Sequence, residues 1–290
     1  MTVTEAELGE RTFGCELEYE NITRDTAARV VAGAVGGTVL GGPSVRMRDG
    51  REWRIAYDGS VPNGCEVISP ILRWEDIETL KAVVRALRAA GAKADETTGL
   101  HIHVGIGDFS AEQIRNLVRT FYRQERLILA AAGTLPNRIN RYTKRTDHDF
   151  VTKICEMHRP TKDKLNAAWF GEFKRSFGHY EGHRYRALNL NNLWGTMPKG
   201  TVEFRFWNGT TAEDEVMASV QMSLLLVIRG KVAKASSAKR QRRVREISAK
   251  YDLRVFLLRL GAIGPAFKTM RKILMRNLPG SAAWKDGRHD

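Results

Sequence analysis

Four short segments of this chain of 290 residues alternate, residue by residue, between apolar bulk and ionisable groups, and that alternation restricts the fold more than any other feature. A period of two is the side-chain period of a β-strand, whose successive residues point to opposite faces of a sheet. In Phe13-Gly14-Cys15-Glu16-Leu17-Glu18-Tyr19-Glu20, Glu16 and Glu18 share one face while Cys15, Leu17 and Tyr19 share the other. Two carboxylates about 7 Å apart on a sheet face repel each other unless water screens them or a cation lies between. This strand alone has two readings, a solvated outer face or one wall of a cation site.

The other three segments repeat the format. Gly64 to Ser69 has Glu66 as its polar member, with Asp58 at the turn before it. Thr98 to Gly107 puts His101 and His103 on one face and Leu100, Ile102 and Val104 on the other. In Gly200 to Trp207, Glu203 and Arg205 alternate with Val202, Phe204 and Phe206. A wet sheet face uses Thr, Ser, Lys and Gln freely. These faces carry carboxylates and imidazoles instead, so together they favour a site over a solvated surface.

Several carboxylates with a histidine suit Mg²⁺ or Mn²⁺, and can hold more than one such ion together with phosphate oxygens. His101-x-His103 also fits a zinc site, but zinc wants a third nitrogen or sulfur ligand. His148, His158, His179, His183 and His289 stand in no comparable strand setting. The hard-cation reading is favoured, with a zinc-dependent hydrolase built on His101 and His103 as the alternative. Arg205 either pairs with Glu203 or, in a metal-rich cleft, clamps phosphate, because a guanidinium fork matches phosphate oxygens. The clamp is favoured. Arg184 and Arg186 are solvent-facing on the plain reading. The chain has no Gly-x-x-x-x-Gly-Lys-Ser/Thr loop and no Gly-x-Ser-x-Gly elbow, which removes those routes to nucleotide binding and acyl transfer.

The segments between the strands read mainly as helices. Thr26 to Val35 suits a short helix broken by glycines, and Asp49-Gly50 marks a hairpin between Val45–Arg48 and Arg51–Tyr57. Ile77, Leu80, Val83, Val84 and Leu87 recur at helical spacing within Trp74 to Ala90. Ser110 is an N-cap for a long helix burying Ile114, Leu117, Val118 and Phe121. Residues 133 to 160 are polar, rich in Arg and Lys, and read as a mobile loop over a site. Lys162 to Phe173 reads as helix, Tyr185 to Leu190 as strand, and Glu213 to Val232 as helix. Helical segments then run to about Asn277, with a break at 261 to 265. The class is α+β, with strands in three clusters.

Charge bears on the end of the chain. Residues 231–290 hold 16 Lys or Arg against 4 Asp or Glu, while residues 1–230 hold 31 against 29. Lys239-Arg240-Gln241-Arg242-Arg243-Val244-Arg245 is a dense basic run. It reads either as the solvated face of a helix packed on the core or as a contact for a polyanion such as nucleic acid. A non-catalytic nucleic-acid-binding protein is therefore a further alternative. Cys15, Cys65 and Cys155 are too few and too scattered for a disulfide framework or zinc knuckle, and are expected as buried thiols. With no long apolar run and a short, acidic start, the expectation is a soluble cytoplasmic protein without membrane contact.

In order, Phe-Gly-Cys-Glu16-Leu-Glu18, Asp58-Gly-Ser-Val-Pro-Asn-Gly-Cys-Glu66-Val-Ile-Ser-Pro, Thr98-Gly-Leu-His101-Ile-His103-Val-Gly and Thr201-Val-Glu203-Phe-Arg205 resemble the amidoligase family. That family belongs to the carboxylate–amine ligase group that includes glutamine synthetase and glutamate–cysteine ligase. The resemblance covers about residues 12 to 225. It implies a curved antiparallel sheet with helices on its outer face, a glutamine synthetase-like catalytic fold. It also implies ATP- and Mg²⁺-dependent joining of a carboxylate to an amine, neither substrate identified, through an acyl-phosphate. Carried over by residue, Glu16, Glu18, Glu66 and Glu203 match metal-binding acids, with Asp58 a further member. His101 or His103 matches the histidine near metal and nucleotide, and Arg205 the γ-phosphate contact. Arg186 matches a second phosphate or substrate contact. The expected organisation is a catalytic domain over 1–230 and a basic helical extension over 231–290.

Overall fold

The computed structural model describes residues 2–178, 181–233 and 240–286. A capping box between Thr4 and Glu7 starts α1 (Glu5–Gly9), a helix too short to show as periodicity in the sequence. It leads into β1 (Phe13–Glu20). Thr23 caps α2 (Arg24–Val35), and Gly36 ends it at φ 60°, a left-handed conformation that glycine adopts without strain. Three short strands follow, β2 (Thr38–Leu40), β3 (Ser44–Arg46) and β4 (Glu52–Ala56), then β5 (Gly64–Ile68). The Asp49-Gly50 hairpin forms between β3 and β4, with Gly50 at φ 87°. β2 was not anticipated.

Next come α3 (Ile77–Ala89), β6 (Gly99–Gly105) and α4 (Ala111–Ala132), which Ser110 and Gln113 start with a capping box. The region 133–160, expected as a mobile loop, folds instead into α5 (Pro136–Arg141) and α6 (His148–Glu156). Pro136 pre-sets the first turn of α5, and Asp147 accepts from two backbone amides at the start of α6. The apolar face of α6 is short: Phe150, Val151 and Ile154 are its buried residues. So few apolar positions among basic residues hide a helix from a periodicity argument.

Then follow α7 (Lys162–Phe170), β7 (Leu188–Asn189), β8 (Thr201–Asn208) and α8 (Glu213–Val232). The strand expected over Tyr185–Leu190 shrinks to the two residues of β7, because the chain before it forms a 3-10 turn at Gly182–Arg184. The tail supplies α9 (Ala249–Arg259) and α10 (Lys268–Arg276). Leu253, Phe256, Leu257, Met270 and Leu274 join the same buried core as the rest of the chain, with α10 against α4 and α8.

The strands form one eight-stranded sheet in the order β2-β3-β4-β5-β1-β6-β8-β7, curved and unclosed, with every neighbouring pair antiparallel. The three clusters of strands thus become a single layer. One face is apolar: Cys15, Leu17, Tyr19, Val67, Ile102, Val104, Val202, Phe204 and Phe206 are all buried. The helices α2, α3, α4 and α8 lie along the sheet and each other to seal it. β1 and β5 approach so closely that a Cβ at Gly64 would lie 1.8 Å from the Tyr19 carbonyl oxygen. Only glycine permits that pairing. Among the described residues no helix is long and apolar enough to cross a membrane. Cys15 and Cys65 are buried, whereas Cys155 is only partly so.

Candidate functional site

The face opposite the core collects the ionisable groups, and strand register determines which of them meet. Glu16 of β1 stands opposite His101 of β6, Glu18 opposite Glu66 of β5, and His103 opposite Glu203 of β8. These strands occupy the centre of the sheet, so the groups lie beside one another and not on a solvated edge. Glu18, His101, Glu203 and Arg205 are each at most 5% exposed, which removes the reading of a wet outer face.

The distances are short. Glu16 Oε2 lies 3.1 Å from His101 Nδ1, and Glu16 Oε1 lies 3.1 Å from His103 Nε2. The second approach is close but out of line, so His103 Nε2 remains a buried nitrogen with no hydrogen-bond partner among the described residues. His101 Nε2 is 3.6 Å from Glu18 Oε1, and His101 Nδ1 is 3.8 Å from Glu203 Oε1. Two overlapping groups result, Glu16–His101–Glu203 and Glu18–Glu66–His101. In each, one ligand atom per residue lies within 4.8 Å of the others.

The electrostatics are those of a cation site. Burial works against ionised Glu16, but the charge on His103 and the hydrogen bond with His101 outweigh it and hold the carboxyl well below its usual range. Glu203 is likewise lowered against burial, by Arg205 and then His103. His103 is raised despite burial, through Glu203 and Glu16. Glu66 has no such partner: burial, then the charges of Glu16, Glu18, Asp58 and Glu203, raise it to about 8. Four neighbouring negative charges add to burial in making that acid reluctant to ionise. Hard oxygen donors, one imidazole and an excess of negative charge fit Mg²⁺ or Mn²⁺. The zinc pattern fits less well, because His101 enters both groups and His103 enters neither.

Arg205 donates to Glu203, two residues away on its own strand, and both are buried. Asp58 sits at the rim, where its Oδ1 accepts from Ser60 N at 2.7 Å and Ser60 Oγ at 2.6 Å, and its charge reaches Glu66. Arg186 is not brought into the cluster. Its guanidinium donates to the Arg145 carbonyl at 2.9 Å and to Asp147 Oδ2 at 3.1 Å. Asn189 stands opposite Glu203, and Arg186, three residues before it, falls out of phase with the site face.

Four contributors escaped the sequence reading. Asn189 Nδ2 donates to Glu203 Oε2 at 2.7 Å, and Asn192 lies 3.2 Å from His103 Nδ1. The backbone N–H of Gly99 donates to Glu18 Oε2 at 2.6 Å. Arg138 of α5, 2% exposed, donates to the carbonyls of Thr98 and Arg205. It fills the space where Gly99 lacks a side chain, beside a β-bulge between Leu100 and Ile102. Little in the sequence marks these positions; the polar Asn189 between Leu188 and Leu190, in a segment read as strand, was the one usable signal.

The other histidines stay elsewhere. His148 bonds Tyr122 Oη at 2.7 Å, His183 bonds Glu181, and His158 is exposed; His179 and His289 lie outside the described residues. In the basic run, Lys239 also lies outside them. Gln241 spans Glu125 and Arg126 on α4, Arg242 pairs with Asp252, and Arg245 pairs with Asp286. Much of that run is therefore engaged within the protein.

The known proteins can now be set beside this geometry. Among curated proteins there is no match to this chain. Among solved structures, the chain is similar to one described as the complex between prokaryotic ubiquitin-like protein Pup and its ligase PafA. That similarity has a TM-score of 0.39 and 11% identity, over 93% of this chain and 64% of the other. The chain thus spans less than two thirds of the length of that protein. The family model described as "Putative amidoligase enzyme" matches residues 9–227, which hold all four alternating strands and the cluster they build, and the chain belongs to that family.

Proposed function

We propose that the protein is an ATP- and Mg²⁺-dependent ligase that joins a carboxylate to an amine. The observation that carries this reading is the convergence of Glu16, Glu18, Glu66, His101 and Glu203, from four adjacent strands, into two overlapping groups of metal-ligand spacing on one face. Family membership supports the reaction class. Two such groups suit cations that hold nucleotide phosphates, and a bound Mg²⁺ would supply charge neutralisation for phosphoryl transfer.

The chain's own residues have distinct tasks in this reaction. Glu16 and Glu203 would hold one ion with His101, and Glu18 with Glu66 a second. Asn189 and Gly99 N–H fix the rotamers of Glu203 and Glu18, so the carboxylates are oriented before a ligand arrives. Arg205 gives up part of its hold on Glu203 to meet the transferring phosphoryl group, whose charge a guanidinium stabilises. A substrate carboxylate oxygen attacks the γ-phosphorus and ADP leaves, giving an acyl-phosphate. The amine nitrogen then attacks the acyl carbon, phosphate leaves, and a basic group on the site face takes the amine proton.

The test is nucleotide-linked stability followed by turnover. ATP with Mg²⁺ should raise the melting temperature of wild type, by about 2.7 kcal/mol of stabilisation at 100 times Kd. That gain should vanish in Glu16→Gln and in EDTA, and ADP release should require an amine. Stoichiometric tightly bound zinc, with no response to ATP, would sink this reading and favour the hydrolase.

A further inference from the structure

The basic run meets α4 on the helical side of the sheet, where Phe121 packs on Phe204 and Phe206 and faces away from the acidic cluster. Arg119, Arg123 and Arg126 follow one another on α4 at intervals of four and three residues, so they share one face of the helix. The row is about 10 Å long at a rise of 1.5 Å per residue. Arg123 and Arg126 are exposed and Arg119 is half-buried. The run is fastened along this row. The backbone N–H of Arg242 donates to the Arg123 carbonyl at 2.8 Å. Gln241 Oε1 accepts from Arg126 Nε at 2.9 Å, and Gln241 Nε2 donates to Glu125 Oε2 at 2.6 Å. Asp252 holds Arg242 at 2.6 Å. Arg240 and Arg243, on either side of this anchored pair, stand exposed beside the row.

The fold thus holds a cationic segment against a cationic helix. Like charges one turn apart on a helix repel, and a second set beside them adds to the repulsion. Arg119, Arg123, Arg240 and Arg243 have no side-chain hydrogen bond or ion pair among the described residues, and Arg119 Nε is buried without a partner there. The nearby acids are committed elsewhere: Glu125 to Thr146 and Gln241, Asp252 to Arg242, and Asp286 to Arg245. Such a surface calls for a ligand of repeated negative charge. Neither α4 nor residues 240–245 expose an aromatic ring on which unpaired bases could stack, and α4 exposes no large apolar side chain to enter lipid. Guanidinium forks in a row suit phosphodiesters repeating at fixed spacing along a duplex. Packed against α6, α8, α9 and α10, α4 cannot enter a groove to read bases.

We infer that this surface binds the phosphate backbone of duplex nucleic acid, without regard to sequence, through Arg119, Arg123, Arg126, Arg240 and Arg243. The inference is independent of the ligase reading, because the surface and the acidic cluster lie on opposite sides of the sheet.

Fluorescence anisotropy of a labelled duplex of random sequence, at about 50 to 200 mM salt, tests it. Five phosphate contacts give a slope of log K on log salt of about −4.5, roughly a 500-fold loss of affinity over that range. Arg123→Gln combined with Arg243→Gln, both at exposed positions, should reduce the slope to about −2.7 and weaken binding at least tenfold at the low-salt end, with the melting temperature unchanged. Arg29→Gln combined with Arg48→Gln, exposed on α2 and on the β3–β4 hairpin, should leave the slope as in wild type. An equal fall in both double variants overturns the inference, as does a slope near zero. Tighter binding of a single strand than of the duplex also overturns it, and so does equal binding of poly-glutamate or of phosphatidylserine vesicles. Stabilisation by ATP·Mg²⁺ should be the same in the Arg123/Arg243 variant as in wild type; its loss there would make the surface part of the nucleotide site and overturn the inference. A protein that ATP·Mg²⁺ does not stabilise, yet binds the duplex with the expected slope, would lose the ligase reading and keep this surface.

Discussion

Glu125, on the buried side of α4, accepts hydrogen bonds from Thr146 N at 2.7 Å, Thr146 Oγ1 at 2.8 Å and Gln241 Nε2 at 2.6 Å. Burial still dominates and raises its carboxyl to about 7. A carboxyl raised in the folded state binds a proton that the unfolded chain has already lost. Its contribution is complete below the unfolded value near 4.5 and is lost as pH rises to about 7. Wild type should therefore lose on the order of 3 kcal/mol between those limits through this residue. Urea unfolding across pH 4.5–7.5 should show a shallower slope for Glu125→Gln than for wild type. An unchanged slope would mean that the three donors keep Glu125 ionised throughout. Nothing in the pattern of α4 marks this residue, because a carboxylate inside an amphipathic helix reads as surface until its partners, 21 and 116 residues away, are placed beside it.

Strands carried the legible part of the fold. Alternation placed Glu16, Glu18, Glu66, His101, His103, Glu203 and Arg205 on one face, and the structure joins those strands edge to edge. The parts hard to read were irregular. Arg138, Asn189 and Asn192 lie in short elements whose positions are set by long-range contacts, and Arg186 lies outside the cluster, ahead of a β7 only two residues long. The β1–β5 pairing also depends on a residue with no side-chain chemistry. Gly64→Ala would drive a methyl into the Tyr19 carbonyl and part the strands that hold Glu18 opposite Glu66. A loss of more than 3 kcal/mol is expected, from strain together with broken ladder bonds. Chemical denaturation would check it, and Gly41→Ala, where nothing lies within 4 Å, is the control.

At the scale of the whole molecule, the basic tail is part of the body of the protein. α8 is buried on nearly every side, from Val216 through Gly230, and a helix apolar all round needs cover on all its faces. α10 supplies some of that cover, while Gln221 Nε2 donates to the Ala266 carbonyl at 3.1 Å. A chain ending at residue 233 should expose the faces of α4 and α8 that α10 covers, bind a hydrophobic dye and aggregate on expression. A monomeric, cooperatively melting truncation would instead establish 1–230 as an independent domain.

The 2.6 Å bond from Gly99 N–H to Glu18 gives the site a built-in spectroscopic probe. An amide proton held in a short hydrogen bond to a carboxylate resonates far downfield and exchanges slowly with solvent. When a divalent ion draws charge from Glu18, that proton moves upfield. Titrating Mg²⁺ into ¹⁵N-labelled protein should therefore shift the Gly99 cross-peak before any substrate is known, and the midpoint reads the ion's affinity from the backbone itself.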